Sequence, residues 1–552
     1  MDTGIMDFFP QGYTPRQIQI DALLEYERLV ELGYEIIIIR GETGAGKSIV
    51  AKTISNEFNY RGLTSMFTTP SKILQDQYQR DFPEVPVVKG KSNFECVFPG
   101  SEGIPCNRGP CEKNKIKKCT QDAYDRGVVH AVCPYIKQID AAIMAPVCII
   151  NYHILWHLVG KRMSPRDLVI MDEAHNLESI MQGFVSTKFE GDQFFDIDMN
   201  PNDPEILIKL QTSVKAKLLY FEREILTDAE IKSKQDLMSK DTCLDYLINQ
   251  PRTELVIWNP DLTPKERRDH ARISLEVKPI FIGQFISTFL NEISDFFCFF
   301  SATISKGEFC SANGLDPDLV GFIDMPSGFP VENAPVLNYF KQYAPNDTYS
   351  VNYRNQEFML KLMIPEIQRL CGELKDARIL IHTHSNRIEN YLKDHFRIDT
   401  RPVLFGSNYT DKDAMVKEYL ANEKSILFSF SAYEGLDLPD AHCRAVFFLK
   451  IPYLPMVDPW IKARSDYRYP DGTRNDFYLW ETLKKLIQGS ARHIRNDQDF
   501  GLTIFMDCPN RVISDGYHLL PMSFKQRLTQ RGDAARLVLN KIQEEGSYDV
   551  RY

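Results

Sequence analysis

Eight consecutive residues, Gly41-Glu42-Thr43-Gly44-Ala45-Gly46-Lys47-Ser48, have the types and spacing to hold a polyphosphate. They fit the pattern G-x-x-x-x-G-K-[ST]. The apolar run Ile36-Ile37-Ile38-Ile39 precedes them with only Arg40 between, and a helix-like run from Ile49 to Asn56 follows directly. In that strand-then-helix setting, Gly41, Thr43, Gly44 and Gly46 let backbone N–H groups curl around phosphates, and the new helix aims its positive end at the same point. Lys47 is placed to reach the β- and γ-phosphates, and the Ser48 hydroxyl to hold Mg²⁺. The implied ligand is a nucleoside triphosphate.

A second set of groups completes such a site. The strand-like run Leu168-Val169-Ile170-Met171 ends in Asp172-Glu173-Ala174-His175. Phosphoryl transfer is mostly positioning and charge neutralisation, so Asp172 is assigned to the metal and Glu173 to the attacking water. The run Phe296–Phe300 ends in Ser301-Ala302-Thr303, hydroxyls that can couple the phosphate site to another surface. Glu434-Gly435-Leu436-Asp437 falls on the turn after a strand, where an interdomain contact can form. Later, Gln488-Gly489-Ser490-Ala491-Arg492-His493-Ile494-Arg495 sets two arginines three residues apart, on one helix face. Brought across a cleft, Arg492 and Arg495 can neutralise charge on the transferring phosphate.

The twelve cysteines are unevenly spread: Cys96, Cys106, Cys111, Cys119 and Cys133 fall within 38 residues. In a reducing compartment, such a cluster points to metal rather than disulfides. Four thiolates suit zinc or a [4Fe–4S] cluster; the spacings match no common zinc ribbon, although composition alone leaves zinc favoured. Residues 89–140 carry nine Lys/Arg against six Asp/Glu, a net +3 in a chain of −10. Lys113, Lys115, Lys117 and Lys118 lie in this stretch and suit either a phosphate backbone or solvent. Phe94 and Tyr135 read as packing residues, and Cys148 as core within an apolar strand.

The elements that must position these groups follow from the patterning. At 552 residues, the chain is too long for one core, so three or four structural units are expected. Thr14 caps a first helix with Pro15 in its first turn and Gln17 completing a capping box; Gly33 ends it. Met66-Phe67-Thr68-Thr69 reads as a strand stopped by Pro70, and Val147–Ile150 as another. Residues 178–276 are charged and mostly helical in pattern. A second α/β unit begins near residue 330, with strands at Arg378–His382, Ile426–Ser429, Ala445–Leu449 and Leu502–Phe505. The net charge argues against a protein that coats nucleic acid, but allows one that threads a strand through a local basic groove. No apolar run approaches the length that crosses a bilayer, and Met1–Asp7 carries acid rather than base, so a cytoplasmic location is expected.

In order, the chain holds Gln19, the phosphate loop, Thr68-Thr69-Pro70, the cysteine cluster, Asp172-Glu173-Ala174-His175, Ser301-Ala302-Thr303, Glu434–Asp437 and Gln488–Arg495. This series resembles the XPD/DinG group of superfamily 2 DNA helicases over nearly the whole chain. Its most specific parts are Lys89-Gly90-Lys91-Ser92-Asn93-Phe94-Glu95-Cys96, Cys133-Pro134-Tyr135 and Asn151-Tyr152-His153. The resemblance implies an α/β fold of two RecA-like motor domains, with an iron–sulfur insertion and a helical arch insertion in the first. Residues 1–91, 141–177 and 277–329 would form the first motor, 92–140 the cluster insert, 178–276 the arch and 330–552 the second motor.

It further implies ATP- and Mg²⁺-dependent 5′→3′ movement on single-stranded DNA and opening of forked duplex, by a monomer or a subunit of a larger complex. Gln19 would contact adenine, and Gln488, Arg492 and Arg495 would complete the ATP site from the second motor. Ser301, Thr303, Glu434 and Asp437 would couple, and Thr69, Tyr152 and Ser385 would lie near DNA. The resemblance favours [4Fe–4S], with Cys96, Cys111, Cys119 and Cys133 as ligands and Cys106 to spare. One departure is Ala491, where the family has glycine before the first arginine. The chain begins a few residues before Gln19, so no N-terminal exonuclease is expected. A DNA-stimulated ATPase scaffold that opens no duplex is an alternative; so is an RNA helicase, against which the cysteine insert argues.

Overall fold

A computed structural model describes residues 4–42, 44–113, 119–127, 130–158, 163–194, 196–222, 226–260, 273–326, 330–340, 351–432, 438, 442–470, 472, 475–490, 499–529 and 532–548. The chain forms two compact units. Met1–Ile39, Ser48–Ile323 and Met456–Asn475 make the first; Arg40–Lys47, Asp324–Pro455 and Asp476–Tyr552 make the second. Among the described residues, no helix is long and apolar enough to cross a membrane.

The first seven-stranded sheet uses β1 (Ile36–Gly41), β2 (Ser65–Thr69), β3 (Val87–Val88), β4 (Val147–Asn151) and β5 (Leu168–Met171). After three strands of a separate sheet, β6 (Thr187–Glu190), β7 (Leu255–Trp258) and β8 (Ser274–Pro279), it is completed by β9 (Phe296–Ser301) and β10 (Val320–Met325). Its order is β10-β1-β9-β5-β2-β4-β3. Every residue of β2, β4 and β5 is buried, Cys148 included. Such continuous burial is what parallel strands covered on both faces require. Residue 171 pairs with Thr68 on β2 and with Phe299 on β9, both parallel. The next residue on each strand therefore emerges at one shared edge: Thr69, Asp172 and Phe300 with Ser301 after it. Ligands of open α/β sheets bind at this carboxyl edge.

The first helix corrects one expectation. It runs Gln17–Glu31 with Arg16, not Thr14, at its N-cap, and the box is closed by Gln19, whose Oε1 accepts from Arg16 N at 3.0 Å. Pro15 therefore lies before the helix rather than in its first turn. Residues 178–276 contain the helices Ile206–Tyr220 and Asp228–Leu247, as the pattern predicts. They also hold an antiparallel sheet, β6-β8-β7, that the charged composition concealed. Phe189, Phe194, Leu210, Leu244 and Val277 share its separate core.

The second seven-stranded sheet uses β11 (Val336–Asn338), β12 (Ile379–His382), β13 (Val403–Phe405), β14 (Ile426–Ser429), β15 (Ala445–Phe448), β16 (Leu502–Phe505) and β17 (Leu528–Thr529). The order is β13-β14-β12-β15-β16-β11-β17, and every adjacent pair is parallel. All four strands expected there from sequence are present.

Candidate active site and cysteine-lined cavity

The phosphate loop leaves β1 at Gly41 and enters the Lys47–Tyr60 helix. Gly44 and Gly46 both take φ of +82°, a conformation that side-chain-bearing residues rarely adopt. A Cβ on Gly41 would stand 3.2 Å from Lys47 Cγ, so the loop closes tightly on its own lysine. Lys47 Nζ donates to the carbonyls of Gly41 at 2.9 Å and Glu42 at 3.3 Å. Its ammonium is thus held over the curl of the loop. Thr43 lies outside the described residues.

Asp172 stands at the carboxyl end of β5, almost fully buried, its backbone N–H bonded to Thr68 O at 2.9 Å. Its Oδ1 accepts from Glu173 N at 2.9 Å and its Oδ2 from Tyr78 OH at 3.1 Å. Ser48 lies near enough to Tyr78 to act on its hydroxyl, so the phenol stands close to both oxygens assigned to Mg²⁺. Burial, and then the Asp172 carboxylate, hold the Tyr78 hydroxyl well above its usual pKa, so it stays protonated as a donor. Sequence reasoning missed Tyr78, which carries no motif signal.

Glu173 is in the left-handed region at φ 50°, ψ 42°. Strain of this kind, about 1–3 kcal/mol, persists where surroundings over-determine the backbone. Its Oε2 lies 3.2 Å from His175 Nδ1, which in turn lies 2.8 Å from Ser301 Oγ. Ser301 Oγ also accepts from Thr303 N at 3.0 Å. The acid pair and the Ser-Ala-Thr stretch are thus joined by one imidazole, that of His175, which meets Ser301 across 126 residues.

The structure gives the other expected residues the following places. Gln19 is buried with its Oε1 engaged in the helix cap. Thr69 and Tyr152, expected beside DNA, are turned inward: Thr69 Oγ1 donates to Ser71 O at 3.1 Å, and Tyr152 OH donates to Asp172 O at 3.1 Å. Thr69 ends a strand buried along its whole length, and Tyr152 opens the Tyr152–Leu158 helix directly after another. Ser385 caps the Asn386–His395 helix by accepting from Ile388 N at 3.4 Å. Beside it, His384 is strained at φ 67°, and burial with the Lys450 and Lys485 charges pushes its pKa down to about 4. Gln488 lies in the last turn of the Phe477–Ser490 helix. Glu434, Asp437, Arg492 and Arg495 lie outside the described residues, as do Lys115, Lys117 and Lys118.

The five clustered cysteines come together. Cys96, Cys106, Cys111, Cys119 and Cys133 all line one cavity of about 60 Å³, with Lys91, Val97, Glu112, Tyr135 and Ile136. Short backbone ties build it: Cys96 N to Ile104 O at 2.7 Å, Cys106 N to Phe94 O at 2.8 Å and Cys133 N to Cys119 O at 2.8 Å. The Cys106 and Cys133 sulfurs are 3.6 Å apart, and a Cβ on Gly109 would stand 2.8 Å from Cys96 Sγ. Burial and the bond to Cys133 push the Cys106 thiol up to about 12; burial also raises Cys111 and Cys119. Crowded thiols of this kind ionise only beside a cation, whose charge reverses that order. Phe94 packs on Tyr135 at 6.3 Å between centroids, and Lys91 covers the same ring, so both aromatics are structural.

Among the described residues, no three Cys, His, Asp or Glu side chains stand around a point in the geometry of a single bound ion. A group with its own iron–sulfide core requires thiols around a cavity instead, and that is the arrangement present. The donor set, soft and partly buried, fits such a group better than it fits one hard cation.

A phosphate loop after β1 and an acid pair at the end of β5, two strands away in the same sheet, are the parts of a P-loop nucleoside triphosphatase site. Residues 367–519 match the helicase C-terminal domain family, and residues 12–190 match the family described as type III restriction enzyme, res subunit. The ATP-dependent DNA helicase YoaA of Haemophilus influenzae is 21% identical, covering 92% of this chain and 92% of its own. Its Escherichia coli counterpart is 22% identical over 96% of each chain. A solved structure titled XPD helicase superimposes with TM-score 0.59 at 14% identity, over 94% of this chain and 99% of that one. These matches support an XPD/DinG-like superfamily 2 helicase, to which the chain is similar along nearly its whole length.

Proposed function

We propose that this chain is an ATP-dependent DNA helicase that moves 5′→3′ on single-stranded DNA and opens forked duplex. The observation that carries the reading is the shared carboxyl edge of the first sheet, where Asp172 and Ser301 emerge beside each other and Tyr78 donates to Asp172. Lys47 binds the β- and γ-phosphates, Ser48 and Asp172 hold Mg²⁺, and Glu173 orients water towards the γ-phosphate. Arg492 and Arg495 supply positive charge to the group in transfer. His175, bonded to Ser301, carries the state of the acid pair to the next strand end, which is how hydrolysis is coupled to grip on the strand.

Four of the five cavity cysteines would hold a [4Fe–4S] cluster, with Cys96, Cys119 and Cys133 joined by Cys111. When bound, it supplies cross-links to a polar segment too small for a core of its own. A strand-displacement assay on 5′-tailed and 3′-tailed duplexes, run beside ATPase measurements with DNA and with RNA, tests the reading. The expected result is ATP-dependent opening of the 5′-tailed duplex only. DNA-stimulated ATPase without opening on either duplex would make the chain a scaffold, and stimulation by RNA alone an RNA helicase.

A further inference from the structure

Among the described residues, the most deeply buried cation of the first unit is used by none of these steps. Arg464, on the Pro459–Asp466 helix, is fully buried. Its Nε and Nη2 donate to Glu178 Oε1 at 3.1 and 2.8 Å, and Nη2 also donates to Tyr469 OH at 2.7 Å. Tyr469 OH donates onward to Glu308 Oε1 at 2.8 Å. The guanidinium lies over the Tyr469 ring at 5.0 Å and the Phe281 ring at 5.9 Å.

The two acids occupy matching places. Glu178 opens the Leu177–Phe184 helix, five residues past Glu173, and Glu308 lies in the Lys306–Ala312 helix, five residues past Thr303. The His175–Ser301 bond joins the two strand ends at the site; Arg464 and Tyr469 join the two following helices one layer out. Trp460 Nε1 and Gln182 Nε2 both donate to Pro279 O, at 2.8 and 3.0 Å, seating the same segment against the Leu177–Phe184 helix. Met456–Asn475 belongs to the first unit although the chain on both sides of it belongs to the second. Burial opposes the charge on Arg464, but Glu178 and Tyr469 more than offset it, so the guanidinium stays charged.

We propose that Arg464 is a positioning residue for ATP hydrolysis: it holds the helices behind Asp172–Glu173 and Ser301–Thr303 at a fixed separation, so that the two arms of the site move as one. This rests on the helicase reading above. A buried ion pair is weak evidence for stability alone, because an apolar replacement of similar volume often serves as well. The planar fork of arginine spans two acceptors at once, which the point charge of lysine does not reproduce.

The test compares steady-state ATPase with single-stranded DNA for the full chain and for Arg464→Lys, Tyr469→Phe and the double variant Arg464→Met with Glu178→Gln. Arg464→Lys should lower kcat about tenfold, since ångström-scale misplacement of catalytic groups has effects of this size or larger. Its KM for ATP should change by less than about twofold, as for an interaction made only in the transition state. Tyr469→Phe, which cuts the link to Glu308 and leaves the ion pair, should lower kcat in the same direction with an unchanged melting temperature. The double variant removes both charges of the pair, so it should recover melting temperature while kcat stays low. Recovery of kcat with melting temperature in the double variant would make the cluster purely structural and overturn the proposal. Wild-type kcat in Arg464→Lys and Tyr469→Phe would overturn it too, leaving the helicase reading intact. A wild-type chain that hydrolyses no ATP would overturn both.

Discussion

Replacing Gly109 by alanine puts the cysteine cavity to a quantitative test. The added Cβ would stand 2.8 Å from Cys96 Sγ and 3.4 Å from Cys106 O. Unstrained contacts between such atoms lie near 3.5–4 Å, so the Cys96 sulfur must recede by roughly 1 Å. Metal–ligand distances tolerate only about ±0.2 Å, several times less than that. Taking ~10–16 kcal/mol for a structural site of four ligands, one lost thiolate is worth ~3 kcal/mol. That is about a 100-fold increase in the rate or extent of iron loss. The assay is iron content and visible absorption of anaerobically purified protein, followed through a chelator challenge. Gly90→Ala is the control, because its Cβ would meet only Asn93 Nδ2, at 3.7 Å, with φ of −66°. Gly109→Ala protein that retains the iron content and chelator resistance of wild type would refute the assignment of Cys96 to the cluster by this route.

Three other outcomes are expected. Lys47→Ala should reduce ATP turnover at least ~100-fold in a phosphate-release assay, as for loss of a single charge-stabilising donor. Burial raises the Asp507 carboxyl to about 7 despite donors from Ile451, Val351 and Cys508 and the Lys450 charge. Its folded pKa lies above the unfolded value of 3.8, so the folded state binds the extra proton in that window. The contribution of Asp507 to stability should be full below about pH 4 and be lost as pH rises through about 7, and thermal melts across this range should show a slope that Asp507→Asn flattens. A Cβ on Gly489 would stand 2.7 Å from Phe448 Cζ and 3.1 Å from His382 Nε2, both fully buried. Gly489→Ala should therefore destabilise the chain by about 1–3 kcal/mol in urea unfolding; an unchanged midpoint would show that the helix shifts freely.

Groups whose geometry is local were legible as text. The phosphate loop needs eight neighbouring residues and two glycines at positive φ, and both requirements are written in consecutive letters. Strand ends such as Met171-Asp172 follow from apolar runs for the same reason. Helix capping was less legible: Thr14, Gln17 and Gln19 all satisfy a pattern, and only the folded chain selects Arg16 with Gln19. Side-chain direction at a buried strand end was not legible, because strands covered on both faces give no alternation to read. Thr69 turns inward for that reason, and Tyr152, the first residue of the helix after β4, is buried where no strand pattern applies.

The sequence by itself determined the nucleotide site, the two sheets and the collection of thiols, because each is carried by short-range spacing and composition. Only tertiary structure decided which distant atoms meet. Tyr78 reaches Asp172 across 94 residues and Arg464 reaches Glu178 across 286. Such contacts come from close packing of elements whose separations along the chain carry no period, so no window of sequence contains them.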